Sequence, residues 1–232
     1  MPSRTALVAL ILPLSLAACS SGSGVKAAST PSPSVSPTPS PSAAVDVLAD
    51  PALAAQVAVR ANQLGAGVTR ATPQGGDEVT GEVTLDMCGA DFASEALRTA
   101  RLQVVYARAG KAYASNEVVT YRAGGTAEAR AEVLHAVRTC PHHAVPSKVA
   151  GVPALTYTIT PLAHRADWPS NALAYSVSVT DGHKVDRSVG IYMWKGHVFS
   201  GVYGEADAKG RPTAAFLTLT DVAAKNLSGV TA

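Results

Sequence analysis

The chain has 232 residues, 47% of them hydrophobic and 16% charged, with a net charge of +2. That is enough chain to bury a substantial core. Its 19 Lys and Arg are scattered rather than gathered into a basic stripe, which excludes the electrostatic footprint of a nucleic-acid binder.

The N-terminus reads as a secretory leader. Arg4 supplies the positive charge, Ala6 to Leu16 is an apolar run interrupted by Pro13, and Leu16-Ala17-Ala18-Cys19 closes it as a bacterial lipobox. The run is shorter than the about 20 apolar residues that a spanning helix needs. The expectation is cleavage after residue 18, a thioether-linked diacylglycerol on Cys19, and further acylation such as palmitate. The protein is then tethered to the outer face of the bacterial cell membrane. Removing residues 1–18 takes away Arg4, so 18 basic residues face 17 acidic ones, a net charge of +1. Richness in Ala, Val, Gly and Thr fits an actinobacterial source.

Residues 19–44 carry the lipid anchor and a Ser/Thr/Pro-rich disordered linker with Pro31, Pro33, Pro37, Pro39 and Pro41. Such a segment cannot form a core and prefers extended, polyproline-like conformations, about 75 Å for roughly 25 residues. Its Ser and Thr beside Pro suit O-glycosylation.

Residues 45–232 contain no second linker and read as one globular domain. Asp50 as N-cap, Pro51 at the first helical position and Gly65 past the end predict a helix over Pro51 to Leu64. Val79 to Met87 reads as a strand leading into Cys88-Gly89. A short turn around Phe92 to Leu97 precedes a strand alternating through Leu102, Val104 and Tyr106, and Gly110 turns it back into Ala114 to Tyr121. Gly124-Gly125-Thr126 caps a helix over Ala127 to Thr139 whose stripe is Ala129, Val133, Ala136, Val137 and Cys140, and Pro141 stops it. Leu155 to Thr160 and Leu173 to Thr180 alternate as strands. Asp181-Gly182 leads into Val185 to Trp194, and Lys195-Gly196 turns that strand into His197 to Tyr203. After Gly210-Arg211-Pro212 comes a last helix with Ala215, Leu219, Val222, Ala223 and Leu227 on its buried side. The class is α+β: a single domain with a twisted, mainly antiparallel sheet of about six or seven strands and three helices packed on one face.

With Cys19 acylated, Cys88 and Cys140 remain in an oxidising compartment and are expected to pair. Cys140-Pro141-His142 resembles the Cys-Pro-His-Cys of periplasmic disulfide oxidases. Position 143 is His, however, and the motif ends a helix where an activated thiolate needs a helix N-terminus. His135, His142 and His143 lack a carboxylate or cysteine at a recognised metal spacing. No Gly-x-Ser-x-Gly, Ser-x-x-Lys, His-Glu-x-x-His or phosphate loop occurs. The expectation is a protein that is not an enzyme, with no catalytic residues, no metal and no cofactor.

One constellation points to binding. A Lys195-Gly196 hairpin loop pairs Trp194 with His197, Tyr192 with Phe199 and Gly190 with Gly201 on one face, which Tyr203 extends. Tyr192, Trp194, Phe199 and Tyr203 above two glycines either wall a ligand groove or lie beneath a helix. The opposite face, with Val189, Ile191, Met193, Val198 and Val202, reads as core.

The order of Cys88-Gly89, Asn116-Glu117-Val118-Val119-Thr120-Tyr121, Arg138-Thr139-Cys140-Pro141 and Trp194-Lys195-Gly196-His197 before a C-terminal helix resembles actinobacterial sensor-domain lipoproteins. These are similar to the extracellular domain of mycobacterial PknH-type serine/threonine kinases. The resemblance covers residues 45–232 and implies a twisted antiparallel sheet with helices and a cleft for an extracellular ligand. The chain departs in having one disulfide pair where the kinase domain has two, and no kinase segment. The functional expectation is a non-catalytic, membrane-anchored lipoprotein that binds a small molecule, glycan or lipid of the cell envelope. The alternative is a protein-interaction lipoprotein regulating or scaffolding a membrane or cell-wall enzyme.

Overall fold

A computed structural model of the protein describes residues 51–85, 87–147, 149 and 152–230. The leader, Cys19, the linker and Asp50 lie outside the described residues. The described chain forms one antiparallel sheet of eight strands: β1 (Val68–Ala71), β2 (Arg98–Arg108), β3 (Lys111–Tyr121), β4 (His142–Val145), β5 (Leu155–Pro161), β6 (Leu173–Thr180), β7 (Val185–Lys195) and β8 (Val198–Glu205). Their order is β1-β2-β3-β8-β7-β6-β5-β4. Two meanders therefore meet where β3 pairs with β8, and the helix α2 (Gly125–Thr139) carries the chain from the middle of the sheet to its far edge. Two further helices, α1 (Pro51–Val57) and α3 (Ala214–Ser228), complete the class expected from the sequence.

Both faces of the sheet are covered, where the sequence reading placed the helices on one. On the first face Ala54 and Val57 of α1 and Phe216, Leu219, Ala223 and Leu227 of α3 pack with Val104, Tyr106, Val118, Val189, Ile191, Met193, Val198 and Val202. On the second, Ala129, Val133 and Ala136 of α2 pack with Val119, Tyr121, Ile159, Tyr175, Tyr192, Trp194 and Phe199. Within α3, Phe216 rather than Ala215 faces the core, and the Thr213 hydroxyl caps the helix by accepting the Phe216 N–H.

The expected helix over 51–64 is broken. Val59 donates its N–H to Asn116 Oδ1 (3.1 Å) and its carbonyl accepts the Tyr106 hydroxyl (2.6 Å), so both backbone groups bond to the sheet instead of the next turn. A 3-10 turn, Ala61–Leu64, follows, with Gln63 Oε1 accepting the Arg60 N–H. Asn116 is fully buried and also donates to Ser200 Oγ and the Gly201 carbonyl.

The expected strand over 79–87 is irregular chain. Its backbone is satisfied by side chains: Glu95 accepts the N–H groups of Thr84 and Leu85, and Arg98 donates to the carbonyls of Val79 and Glu82. The short edge strands β1 and β4, four residues each, are additional to the strands expected from the sequence. At the β7–β8 hairpin the loop is Gly196-His197, not Lys195-Gly196. Lys195 pairs with Val198 and Trp194 with Phe199. Gly196 takes a φ of 56°, the left-handed conformation a two-residue hairpin requires at its first central position. The register slips by two residues, which keeps every side chain on its expected face.

Candidate functional site

The aromatic residues of β7 and β8 do share a face, but they do not line an open groove. Tyr192 is 2% exposed, Trp194 4% and Phe199 0%, all within the core beneath α2, and Tyr203 is partly buried at its margin. Tyr192 meets Tyr175, Trp194, Phe199 and Tyr203 edge-on, with centroids 5.1, 6.0, 5.3 and 5.6 Å away, the geometry that aromatic quadrupoles favour. The two glycines have the same cause. A Cβ on Gly190 would lie 2.8 Å from the Tyr175 ring, and one on Gly201 would lie 2.8 Å from Phe199 Cζ. Rings of the sheet itself, rather than a ligand, occupy the space those glycines leave. Burial is the main cause that raises the phenols of Tyr175 and Tyr203 well above their ordinary range.

Beside this cluster lies a buried ion pair. Arg101 Nε donates to Glu117 Oε1 at 2.5 Å, with both side chains 3% exposed. The Thr84 hydroxyl donates to the same oxygen, and Arg101 also donates to the Gly75 carbonyl. Burial pushes the Glu117 carboxyl up from the usual carboxylate range, against the opposing pull of Arg101 and Thr84. Every partner is protein, and the pair clamps the irregular 75–85 segment onto the sheet.

Cys88 and Cys140 form a disulfide with Cα atoms 6.2 Å apart, joining the chain after the irregular segment to the end of α2. His143, stacked on Tyr157 at 4.8 Å, brings a ring nitrogen to within 4.8 Å of both sulfurs. Metal binding needs thiolates; the oxidised sulfurs offer none. His142 bonds Thr158 and His135 is exposed on α2, so the three histidines singled out in the sequence do not converge.

A concave site lies elsewhere. A cleft of about 720 Å³ opens between the 167–171 loop, the end of β7 and the last turns of α3, lined among others by Asp167, Trp168, Asn171, Trp194, Asp221 and Lys225. The loop is held firmly. His164 Nε2 bonds the Pro169 carbonyl, the Ala172 N–H donates to that same carbonyl, Arg130 Nε donates to the Asn171 carbonyl, and Asn171 Nδ2 donates to the Trp194 carbonyl at 2.8 Å. The Arg165 guanidinium stands 5.6 Å over the Trp168 ring and pairs with Asp167, whose carboxyl is held below its ordinary value chiefly by that hydrogen bond. Lys195 Nζ donates to the Ser228 carbonyl at the end of α3.

Of the four candidate ligand-binding residues, Tyr192, Trp194, Phe199 and Tyr203, only Trp194 reaches this cleft. Trp168, Asn171, Asp221 and Lys225 were not singled out. A tryptophan in the loop Asp167-Trp168-Pro169-Ser170-Asn171, a segment of turn formers with no alternating pattern, was the one available signal.

No protein-family model matches the chain, and no curated protein matches it. Among solved structures it is similar to the extracellular domain of PknH from Mycobacterium tuberculosis, with 10% sequence identity, a TM-score of 0.45, and coverage of 78% of this chain and 97% of that one. A likeness at that level bears on neither ligand nor activity.

Proposed function

We propose that the protein is a non-catalytic, extracytoplasmic lipoprotein, anchored to the outer face of the cell membrane through Cys19, whose domain binds a cell-envelope ligand in the cleft between the 167–171 loop and α3. The cleft carries this reading. Its volume of about 720 Å³ lies in the range of small-molecule sites, and it combines apolar walls with a few placed polar groups. The lipobox supports the anchor, and no helix among the described residues is long and apolar enough to cross a membrane. Two measurements test the reading. Cys19→Ser should abolish labelling by radioactive palmitate and release the protein from membranes, and native mass spectrometry of the wild-type protein should find a retained small molecule. A chain retained on membranes despite Cys19→Ser overturns the anchor.

The protein-interaction alternative draws on one observation. Val145, Val149 and Val152, at 43%, 64% and 53% exposure, gather where β4 turns toward β5. Isolated exposed valines are ordinary on soluble proteins, so the cleft remains the better support. A Val149→Asp/Val152→Asp protein that no longer co-purifies with an envelope partner captured by the wild type would reverse that order.

A further inference from the structure

We infer that the Cys88–Cys140 pair, once reduced, becomes the thiolate half of a zinc site completed by His143, so that oxidation and metal binding compete for the same two sulfurs. The site shares no residue with the cleft and is independent of it. Both sulfurs and a ring nitrogen of His143 lie within 4.8 Å of one another. Cys88 follows the irregular segment, Cys140 ends α2 and His143 belongs to the edge strand β4, so three separate parts of the chain converge. In a tetrahedral zinc site two sulfurs stand about 3.8 Å apart, and sulfur and nitrogen about 3.6 Å. Breaking the S–S bond lets the sulfurs part to that spacing, and the imidazole on its short edge strand has to move by only about an ångström.

The surroundings suit a cation better than a free thiolate. Cys140 caps the C-terminus of α2, and Cys88 Sγ lies 3.7 Å from the Ala136 carbonyl and 3.4 Å from that of Cys140. The negative end of a helix disfavours an isolated thiolate and favours a positive charge. The His143 ring is held by stacking on Tyr157, while its Nδ1 is shielded from solvent and has no hydrogen-bond partner among the described residues. Both cysteines are half-buried and line a cavity of about 410 Å³ between residues 90–92 and α2. That cavity is the approach for a reductant and then for the cation. It also supplies water as the fourth ligand, since no fourth side-chain donor joins the group among the described residues.

Two steps lead to the site. A small dithiol gives two electrons and two protons to the disulfide by thiol–disulfide exchange, which breaks the Cys88–Cys140 bond and leaves the reductant as its own disulfide. Zn²⁺ then takes both sulfurs as thiolates, releasing their two protons to solvent, and accepts a lone pair from the neutral imidazole.

The full-length Cys19→Ser protein, whose only cysteines are Cys88 and Cys140, is treated with dithiothreitol in the absence of urea, freed of reductant without air, and titrated with Co²⁺ and then Zn²⁺. The reduced protein should bind one Co²⁺ per chain, with the ligand-field and thiolate charge-transfer bands of a tetrahedral site, and Zn²⁺ should displace it. The untreated, oxidised protein should show no such bands. Zinc should raise the urea midpoint of the reduced protein and leave that of the oxidised one unchanged. His143→Ala should weaken Co²⁺ binding about tenfold or more. His142→Ala, whose ring bonds Thr158 instead, should leave it unchanged.

A disulfide that dithiothreitol reduces only after urea unfolding overturns the inference, as does a reduced chain that binds neither cation. Binding undiminished by His143→Ala, or weakened equally by His142→Ala, overturns it too, because an adventitious dithiol would then suffice. If reduction removes the near-ultraviolet circular dichroism, zinc should restore it, and a signal that stays lost counts against the site in the same way.

Discussion

Under α1 and α3 the sheet presents Val104, Val118, Ile191, Met193 and Val202 to helices whose backbones bond internally, and the contact is almost wholly apolar. Under α2 and the irregular 75–97 segment it presents Arg101 and Glu117 beside four tyrosines, and the covering chain relies on sheet-borne side chains for its backbone hydrogen bonds. The two coverings answer one requirement, that buried N–H and C=O groups be paired. A helix meets it alone; an irregular cover needs charged residues beneath it. The charges at Glu95, Arg98, Arg101 and Glu117 are therefore structural, and their burial is no sign of catalysis.

This contrast can be broken first where it is largest. Arg101→Met should cost about 3–5 kcal/mol, because it leaves the Glu117 carboxylate buried and unpaired. Phe216→Ala, fully buried on the other face, should cost a similar amount, about 3–5 kcal/mol, through a cavity. The two differ in rescue. Adding Glu117→Leu to Arg101→Met should recover a large part of the loss, whereas no single partner change restores Phe216→Ala. Urea unfolding of the single and double variants measures this, and a double variant weaker than Arg101→Met would refute the account of the pair.

Reducing the disulfide comes next. Its residues are 52 apart in sequence, and closing such a loop stabilises by at most about 4 kcal/mol in the chain-entropy model. A Cys88→Ala/Cys140→Ala protein should unfold at lower urea than the wild type, with 2–4 kcal/mol lost. Gly190→Ala should cost less, about 1–3 kcal/mol, by forcing the Tyr175 ring off the sheet; an unchanged midpoint would show that the ring yields freely.

The smallest effect lies outside both faces. Asp207, in the turn between β8 and α3, accepts hydrogen bonds from the Arg211 N–H and guanidinium and from the Lys209 N–H, which hold its carboxyl down to about 2. A depressed folded value means that its contribution is complete above the ordinary 3.8 and is lost as pH falls toward about 2. Asp207→Asn should flatten the pH dependence of stability in that window alone, and NMR titration of the wild-type carboxyl should give a midpoint near about 2.

Periodicity carried the elements that satisfy themselves. Helices α2 and α3, the β2–β3 pair and strands β5 to β8 are legible because a helix or a half-buried strand repeats its apolar residues at 3.6 or 2. The break at Val59 was not legible. Ala54 to Leu64 keeps a helical stripe, and what ends the helix is the pull of Asn116 and Tyr106, which lie 57 and 47 residues away. The 79–87 segment failed for the same reason, since Glu95 and Arg98 supply the bonds that a neighbouring strand would have made. The aromatic face was assigned correctly as a face, but whether a face is open or covered depends on where a distant helix crosses it.

From residues alone came the pairing of Cys88 with Cys140, the α+β class and the sidedness of β7 and β8, because each follows from local chemistry or from parity along a strand. Tertiary structure decided the cleft. Trp168 and Trp194 are separated by β6 and almost all of β7, and only the packing of α3 against the end of β7 and the 167–171 loop brings the two residues to one cleft.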